Sequence, residues 1–234
     1  MEASYNTKSI ILSRQDFREN DVLVVFFNKE KGVFSLIARG AKKKTSKLAG
    51  HIEPLNFVDL MTIKGRQYDY VGSIKNIETF SKIKNNLDKL ETSLEILKTY
   101  KKFIKEGESE NELFLLLYNS LLAINSNKLN LDLFYNIFLL KFLSLLGFSI
   151  ELNTCLKCRR KIIPKNNYIN MSRGGLFCSV CRTSSDLTIS DDCIKMLKLA
   201  NSIEIEKVAN IKINRIIQLE FDKIVSSFHS YCSY

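Results

Sequence analysis

Four of the six cysteines form two pairs with the same internal spacing. Cys155 and Cys158 lie in CLKC, and Cys178 and Cys181 lie in CSVC, which gives the pattern C-x2-C-x19-C-x2-C. Two residues between cysteines let a tight turn direct both thiolates at one metal ion about 2.3 Å away, and this spacing is typical of tetrahedral zinc sites. The sequence therefore predicts one zinc ion held by all four cysteines.

The role of this metal follows from its ligand set. Four thiolates fill a tetrahedral shell and leave no position for water or substrate, so we expect the zinc to be structural. A redox dithiol is the main alternative, although a thioredoxin-type C-x-x-C accompanies a βαβ pattern that is missing from this sequence. Disulfides are disfavoured because the N-terminal segment lacks the pattern of a signal peptide and indicates a cytoplasmic protein.

A cluster of basic residues follows one of the predicted strands. In the segment ARGAKKKTSKLAG the run of lysines is flanked by Gly40 and Gly50, and Lys64 and Arg66 lie in a later turn. With a net charge of +10, such a cluster is typical of a surface that contacts nucleic-acid phosphates, while the alternative is an ordinary solvated loop. The predicted DNA-binding residues are Arg39, Lys42, Lys43, Lys44, Lys47 and Arg66, and nearby rings that could stack on bases are Phe34, Tyr68 and Tyr70. Aromatic residues in strands more often belong to the core, so no single one of these rings is assigned as a stacking platform.

The patterns of catalytic sites are missing from the sequence. The lysine-rich segment does not match the phosphate-binding G-x4-G-K-[ST] motif. His51 and His229 have no nucleophile or carboxylate partner in a recognisable motif, and no carboxylates are paired at metal-ligand spacing. We therefore expect a binding protein that is not an enzyme.

The first 80 residues read as five short strands. These segments are rich in Val, Ile, Phe and Tyr and are separated by turn-forming residues, which predicts a small five-stranded barrel or a sandwich. The predicted strands are SIILS, VLVVFFN, GVFSLIAR, LNFVDLMTI and YDYVGSIKNIE. A small β-barrel that carries a basic, glycine-flanked loop fits an OB-fold that tracks phosphate, so residues 1–80 are predicted to form an OB-fold DNA-binding domain.

The period of apolar residues changes to that of helices from about residue 81. Apolar residues spaced by three and four predict one buried helical stripe, formed by Ile83, Leu87, Leu90, Leu94 and Leu97. Residues 81–150 and 189–234 are predicted to form an α-helical bundle, in which Ser190 begins one helix and Gly147 ends another. Residues 151–188, called the finger below, are predicted to be an inserted four-cysteine zinc finger. The fold class is accordingly α+β.

The apolar segment 131–150 is long enough to raise the question of a membrane span. Lys141 lies at its centre, and a lysine costs about 2.5 to 3.5 kcal/mol at a bilayer midplane. A buried core helix is the better interpretation.

Several of these segments together resemble the RecO family of bacterial DNA repair and recombination mediator proteins. The resemblance covers residues 10–71 almost without interruption, including ENDVLVVFFNKEKG and ARGAKKKTSKLAG, and is supported by GGLFCSVC in the finger. It implies an OB-fold, a helical bundle and, in many members, a zinc finger. It also implies binding to single- and double-stranded DNA, strand annealing, and help in loading RecA onto DNA covered by single-strand-binding protein. The implied protein partners are RecR and the acidic C-terminal tail of single-strand-binding protein.

Two other functions remain open from the sequence. A zinc-dependent nuclease or deaminase would need an open metal position and an acid–base pair, which the pattern does not supply. A transcription factor with a zinc ribbon would be expected to carry a helix-turn-helix, for which the sequence has no signature.

Overall fold

The computed structural model describes residues 4–107, 110–126 and 128–233. Its first part is a closed five-stranded barrel with the strand order β1-β2-β3-β5-β4, in which β1 also pairs with β4. All neighbouring strands are antiparallel except β3 and β5, which are parallel. The strands are β1 (Ser4–Asp16), β2 (Val22–Asn28), β3 (Gly32–Ala38), β4 (Phe57–Ile63) and β5 (Tyr70–Glu78). The predicted N-terminal barrel of an α+β fold is confirmed, and its order is that of an OB-fold.

The barrel interior is filled by side chains that alternate along the strands. In β2 and β3, buried and partly buried residues alternate over the first half of each strand, as expected for a strand with one face in the core. Phe34 is 8% exposed and stacks on Phe26, with ring centroids 5.5 Å apart. Of the two alternatives for Phe34, a core position and a stacking face, the structure shows the core position, so its ring is not open to bases.

Three helices follow the barrel strands: α1 (Ser81–Lys84), α2 (Leu87–Phe103) and α3 (Asn111–Ser126). The predicted single stripe is wrong at Leu87, which is 68% exposed. The helix is interrupted between α1 and α2, where the Asn86 side chain accepts the backbone N–H of Lys89 and begins a new helix. This interruption resets the helical phase, so that α2 buries Ile96, Leu97 and Tyr100.

Aromatic contacts join these helices to the barrel. The ring of Phe27 lies 5.1 Å from that of Tyr100 on α2, and the ring of Phe57 lies 5.0 Å from that of Tyr118 on α3. Phe114 on α3 contacts both phenylalanines, at 6.2 and 6.1 Å. Helices α2 and α3 thus cover the barrel where β2 ends and where β4 begins.

The second part of the chain contains three further helices and the finger. The helices are α4 (Leu131–Leu145), α5 (Asp191–Ser202) and α6 (Arg215–Cys232), with a 3-10 helix at Ile205–Asn210. The Ser190 side chain accepts the backbone N–H of Cys193, as predicted, and α4 ends before Gly147, whose φ is 87°. Helix α6 packs on α4 and α5, and its buried residues include Phe221, Ile224 and Phe228.

The finger contains a small antiparallel sheet. Its strands are β6 (Asn167–Asn170), β7 (Gly175–Phe177) and β8 (Leu187–Ile189), with β6 in the centre. Residues 171–174 form the turn between β6 and β7, where Gly174 has a φ of 70°. A left-handed residue is accommodated at this turn because glycine has no Cβ.

The chain divides into two compact units at residues 127 and 128. The first unit combines the barrel with α1, α2 and α3, and the second combines α4, α5 and α6 with the finger. This division lies well after the predicted boundary at residues 80 and 81. The assignment of residues 1–80 as a separate DNA-binding domain, which also includes residues 1–3 outside the described ranges, stays a prediction.

None of the helices in the described ranges combines the length and apolar character that crossing a bilayer requires. In α4, nine of the 15 residues are buried within the second unit.

Candidate metal centre and nucleic-acid interface

The four cysteines of the finger meet at one point in the structure. Their sulfur atoms all lie within 4.8 Å of one another, and the Sγ atoms of Cys158 and Cys178 are 3.9 Å apart. Cys155 and Cys181 are buried, whereas Cys158 is exposed. Four sulfur atoms at this separation could hold one metal ion, and the donor set is that of a closed tetrahedral site.

The first cysteine pair lies in a tight hairpin formed by residues 153–162, called the first knuckle. The backbone N–H of Cys155 donates to Arg160 O at 2.8 Å, and Ile162 N–H donates to Asn153 O at the same distance. Between these contacts, Arg159 N–H donates to Cys155 O at 2.9 Å, and Arg159 adopts a φ of 59°. This turn brings Cys158 back towards Cys155.

The second pair forms a similar turn at residues 178–182. The backbone N–H groups of Cys181 and Arg182 both donate to Cys178 O, at 3.0 and 3.1 Å. The strand before it approaches the first knuckle closely: a Cβ built at Gly175 would lie 3.1 Å from Leu156 Cδ1 in the knuckle and 2.9 Å from Glu151 O just before it. Glycine at this position therefore allows the two cysteine pairs to come together.

The electrostatics of the cluster differ between its members. Burial raises the pKa of the Cys155 thiol, but backbone N–H groups of Cys158, Cys178 and Lys157 outweigh burial and lower its pKa to about 6. Burial raises the pKa of Cys181 to about 12, together with hydrogen bonds that its thiol donates to the neighbouring sulfur atoms and the negative charge of Cys155. The fold thus favours the thiolate of Cys155, and a cation among the four sulfur atoms would favour ionisation of Cys181.

Cys193 does not join this cluster. It is fully buried on α5, and burial together with Glu220 raises its pKa to about 12. Cys193 is thus a small core residue.

The predicted DNA-binding residues lie in connections that leave one rim of the barrel. The strand register places this rim at Asp16, Val22, Ala38, Tyr70 and Ile63. Connections 17–21, 39–47 and 64–69, called the rim loops below, begin there. The first two are joined by hydrogen bonds from Gly40 N–H to Asp21 Oδ1 and from Lys42 N–H to Asn20 O.

The six predicted cations are not equivalent in the structure. Lys42 Nζ lies 2.8 Å from Asp16 Oδ2, so its charge is already paired. The Arg39 guanidinium lies over the ring of Tyr70, with its carbon 3.6 Å from the ring centroid. The remaining four have exposed side chains and form no ion pair among the described residues: Lys43, Lys44 and Lys47 in the second rim loop and Arg66 in the third.

The first rim loop adds residues that the sequence reasoning missed. The Arg18 guanidinium lies 5.1 Å from the ring centroid of Phe17, and that ring meets Tyr68 edge-on at 5.5 Å. Tyr68 is 38% exposed and is therefore open to a stacking partner. The available signal was the basic and aromatic pair in the turn QDFREND, although its position beside the basic loop depends on closure of the barrel.

His51 and Lys141 were also considered in the sequence analysis, and the structure shows the environment of each side chain. The Nδ1 atom of His51 is buried without a hydrogen-bond partner among the described residues. Lys141 is half-buried and donates from Nζ to Asn201 O at 3.2 Å, and burial lowers its pKa while Glu206 opposes that effect. Lys141 thus binds the C-terminal end of α5.

Comparison with known proteins covers almost the whole chain. The family model described as Recombination protein O N terminal matches residues 1–80, and the model described as Recombination protein O C terminal matches residues 76–231. The chain belongs to the RecO family. Both halves of a RecO protein are therefore present in their expected order.

Individual members of the RecO family show similarity over the same extent. The DNA repair protein RecO of Thermoanaerobacter sp. (strain X514) is 27% identical over 224 residues, which cover 95% of this chain and 90% of that protein. The DNA repair protein RecO of Clostridium kluyveri is 28% identical over 224 residues, covering 96% and 87%. That of Desulforamulus reducens is 27% identical over 229 residues, covering 97% and 89%.

Proposed function

We propose that this protein is a non-enzymatic DNA-binding mediator of recombinational repair. In this role it binds single- and double-stranded DNA, anneals complementary strands and, together with RecR, helps to load RecA onto DNA covered by single-strand-binding protein. The observation that carries the proposal is the match of both RecO family models, which together span residues 1–231.

The rim loops support the DNA-binding part of this proposal. Their unpaired cations would contact successive phosphates, while Tyr68 and the Arg39–Tyr70 pair offer planar groups to unstacked bases. Phosphate contacts of this kind position a nucleic acid without reading its sequence. Binding should therefore show slight sequence preference and strong dependence on salt concentration.

The metal in this proposal is one structural zinc ion held by Cys155, Cys158, Cys178 and Cys181. Its all-sulfur donor set supports zinc, and four protein ligands leave no position for a catalytic water. When bound, the ion would cross-link the two cysteine pairs and supply folding free energy to the finger. This chain's own residues would position the thiolates through the N–H groups that surround Cys155.

The protein partners in the proposal are RecR and the acidic tail of single-strand-binding protein. A peptide with the tail's acidic residues and apolar end should bind the full chain, and a scrambled peptide of the same composition should bind more weakly. Equal binding of the two peptides would show that charge alone attracts the tail.

Strand annealing is the direct test of the proposed function. Full-length protein should accelerate pairing of two complementary labelled oligonucleotides without added nucleotide or divalent metal ions. A variant with Lys43, Lys44 and Lys47 changed to Ala should anneal more slowly. Absence of acceleration by the wild-type protein, or shortening of the strands after Mg²⁺ is added, would contradict a non-enzymatic mediator.

A further inference from the structure

The finger carries a large share of the protein's positive charge. Residues 151–188 contain two acidic residues, Glu151 and Asp186, and seven basic ones: Lys157, Arg159, Arg160, Lys161, Lys165, Arg173 and Arg182. The excess of five positive charges is half of the net charge of +10 of the whole chain. Four thiolates with one divalent ion would contribute a formal charge of about −2, which still leaves the finger clearly positive.

The two carboxylates of the finger are occupied by its own backbone and amide groups. Glu151 accepts the N–H groups of Asn153 and Thr154 at 2.7 and 3.0 Å. Asp186 accepts from Asn170 Nδ2 at 2.6 Å and from Thr183 N–H at 2.7 Å. All seven basic side chains are exposed, and none forms an ion pair among the described residues.

Four of these cations lie within five consecutive residues of the first knuckle, in the sequence KCRRK. The hairpin is held by pairing of Thr154 with Lys161 and by the bond from Cys155 N–H to Arg160 O. Arg160 and Lys161 lie in the returning segment, and all four side chains are exposed, so one short hairpin presents four cations to an anionic partner.

Two arginines extend this surface over the finger sheet. The Arg173 guanidinium lies 4.1 Å from the ring centroid of Phe177, and that of Arg182 lies 4.7 Å from the ring centroid of Tyr168. Tyr168 and Phe177 are directly opposed on β6 and β7, and both pack in the cluster around Cys155 and Cys181. The metal centre and the arginines are thus supported by the same pair of rings.

We infer that the finger carries a second binding surface for the phosphate backbone of nucleic acid, separate from the rim loops. This inference deepens the proposed function on which it rests, because a chain with two phosphate-binding surfaces can hold two strands at once. The exposed placement of all seven cations favours contact along a polyanion backbone. An acidic peptide recognised by individual side chains would instead require a concave site.

The test compares full-length variants that remove the same number of charges. The finger variant carries Arg159→Asn, Arg160→Gln and Lys161→Gln, with asparagine chosen because it tolerates the left-handed backbone of residue 159. The matched control carries Lys198→Gln, Lys212→Gln and Lys223→Gln, three exposed lysines elsewhere in the second unit that, like the finger cations, form no ion pair among the described residues.

A milder finger variant keeps the test informative if the triple change disturbs folding. It carries Lys157→Gln and Lys161→Gln, which leave residue 159 unchanged. Metal content by mass spectrometry and protease resistance confirm that each variant keeps its finger.

Two measurements are made on each variant. The first is the slope of log K against log salt for a single-stranded oligonucleotide. The second is capture of a fluorescent strand by protein bound to an immobilised, non-complementary strand. The slope should be flattened by about 2 in the triple finger variant, which loses three phosphate contacts, and by about 1.4 in the double variant, which loses two. Both finger variants should also capture much less of the fluorescent second strand. The control should match the wild type.

The possible outcomes separate this inference from the proposed function. Finger variants with wild-type slope and capture would overturn the inference, while loss of binding in a rim-loop variant would leave the proposed function standing. An unchanged DNA slope combined with loss of binding to a polyglutamate peptide would also overturn it, in favour of an acidic peptide site. If the wild-type protein bound neither oligonucleotide, the proposed function and the inference would both fail.

Discussion

Removal of the unpaired lysines of the second rim loop should reduce the salt dependence of DNA binding by a calculable amount. The perturbation is Lys43, Lys44 and Lys47 changed together to Ala in the full-length protein. All three side chains are exposed, so truncation should leave the barrel core intact. Each lysine that contacts a phosphate releases counterions from the strand when it binds.

The magnitude follows from which cations are available. Lys42 is left out because Asp16 already neutralises it at 2.8 Å, and transfer to a phosphate would merely exchange one anion for another. Each single-strand phosphate contact contributes about −0.7 to the slope of log K against log salt. Loss of three contacts should therefore flatten the slope of log K against log salt by about 2. This difference does not depend on how much other surfaces of the chain contribute to the absolute slope.

The assay is a fluorescence anisotropy titration of a labelled mixed-sequence single strand at several salt concentrations. The matched control changes Lys29, Lys82 and Lys101 to Ala, three exposed residues of the first unit outside the rim loops. Its slope should equal that of the wild type. If the rim-loop variant kept the wild-type slope, or if the control lost as much, assignment of DNA binding to the rim loops would be refuted.

Three further outcomes are expected. Asp16→Asn should release Lys42 and steepen the same slope by about 0.7, and an unchanged slope would mean that Lys42 does not reach the strand. Cys178→Ser should abolish tight zinc binding and introduce protease cleavage confined to about residues 150–188. The reason is that metal binding supplies about 10 to 16 kcal/mol of folding free energy to comparable small modules. Retention of one tightly bound ion by the variant would contradict the four-cysteine site. Burial raises the pKa of Asp222 despite its hydrogen bond from Asn136. The carboxyl of the folded protein therefore keeps its proton to a higher pH than that of the unfolded chain, where the pKa of Asp is about 3.9. The free energy of unfolding consequently falls as the pH rises from the unfolded-state pKa to the folded-state pKa. Asp222→Asn should therefore gain more in Tm relative to the wild type at pH 7 than at pH 4, and an equal difference at both would show that this carboxyl does not titrate as described.

The barrel strands were predictable to the extent that they alternate or concentrate apolar residues. The predicted segment VLVVFFN coincides with β2, whereas β1 begins at Ser4, several residues before the predicted SIILS. Residues 4–8 of β1 are polar and largely exposed, and they become a strand because they pair with β4. Pairing with a distant segment leaves no periodic signal in a single sequence.

The features of the candidate sites that depend on local turns were predictable from the sequence, and those that depend on contacts between distant segments were not. The cysteine cluster was predictable because its ligands are fixed by short local turns, and the structure brings all four sulfur atoms together. The pairing of Lys42 with Asp16 and the position of Arg18 beside the basic loop were not predictable, since both depend on closure of the barrel. The stripe through Leu87 failed for a local reason, because Asn86 starts a new helix.

The aromatic contacts between the barrel and its following helices determine where the chain can be cut for study. A fragment ending at residue 80 would keep all five strands but would lose Tyr100, Phe114 and Tyr118, which cover Phe27 and Phe57. Each such ring buries about 150 to 250 Å², so the shortened fragment would display an apolar patch of the kind that causes self-association. A fragment ending near residue 127 keeps this cover in place. Sedimentation of the two fragments should show a monomer for the longer one and concentration-dependent aggregates for the shorter.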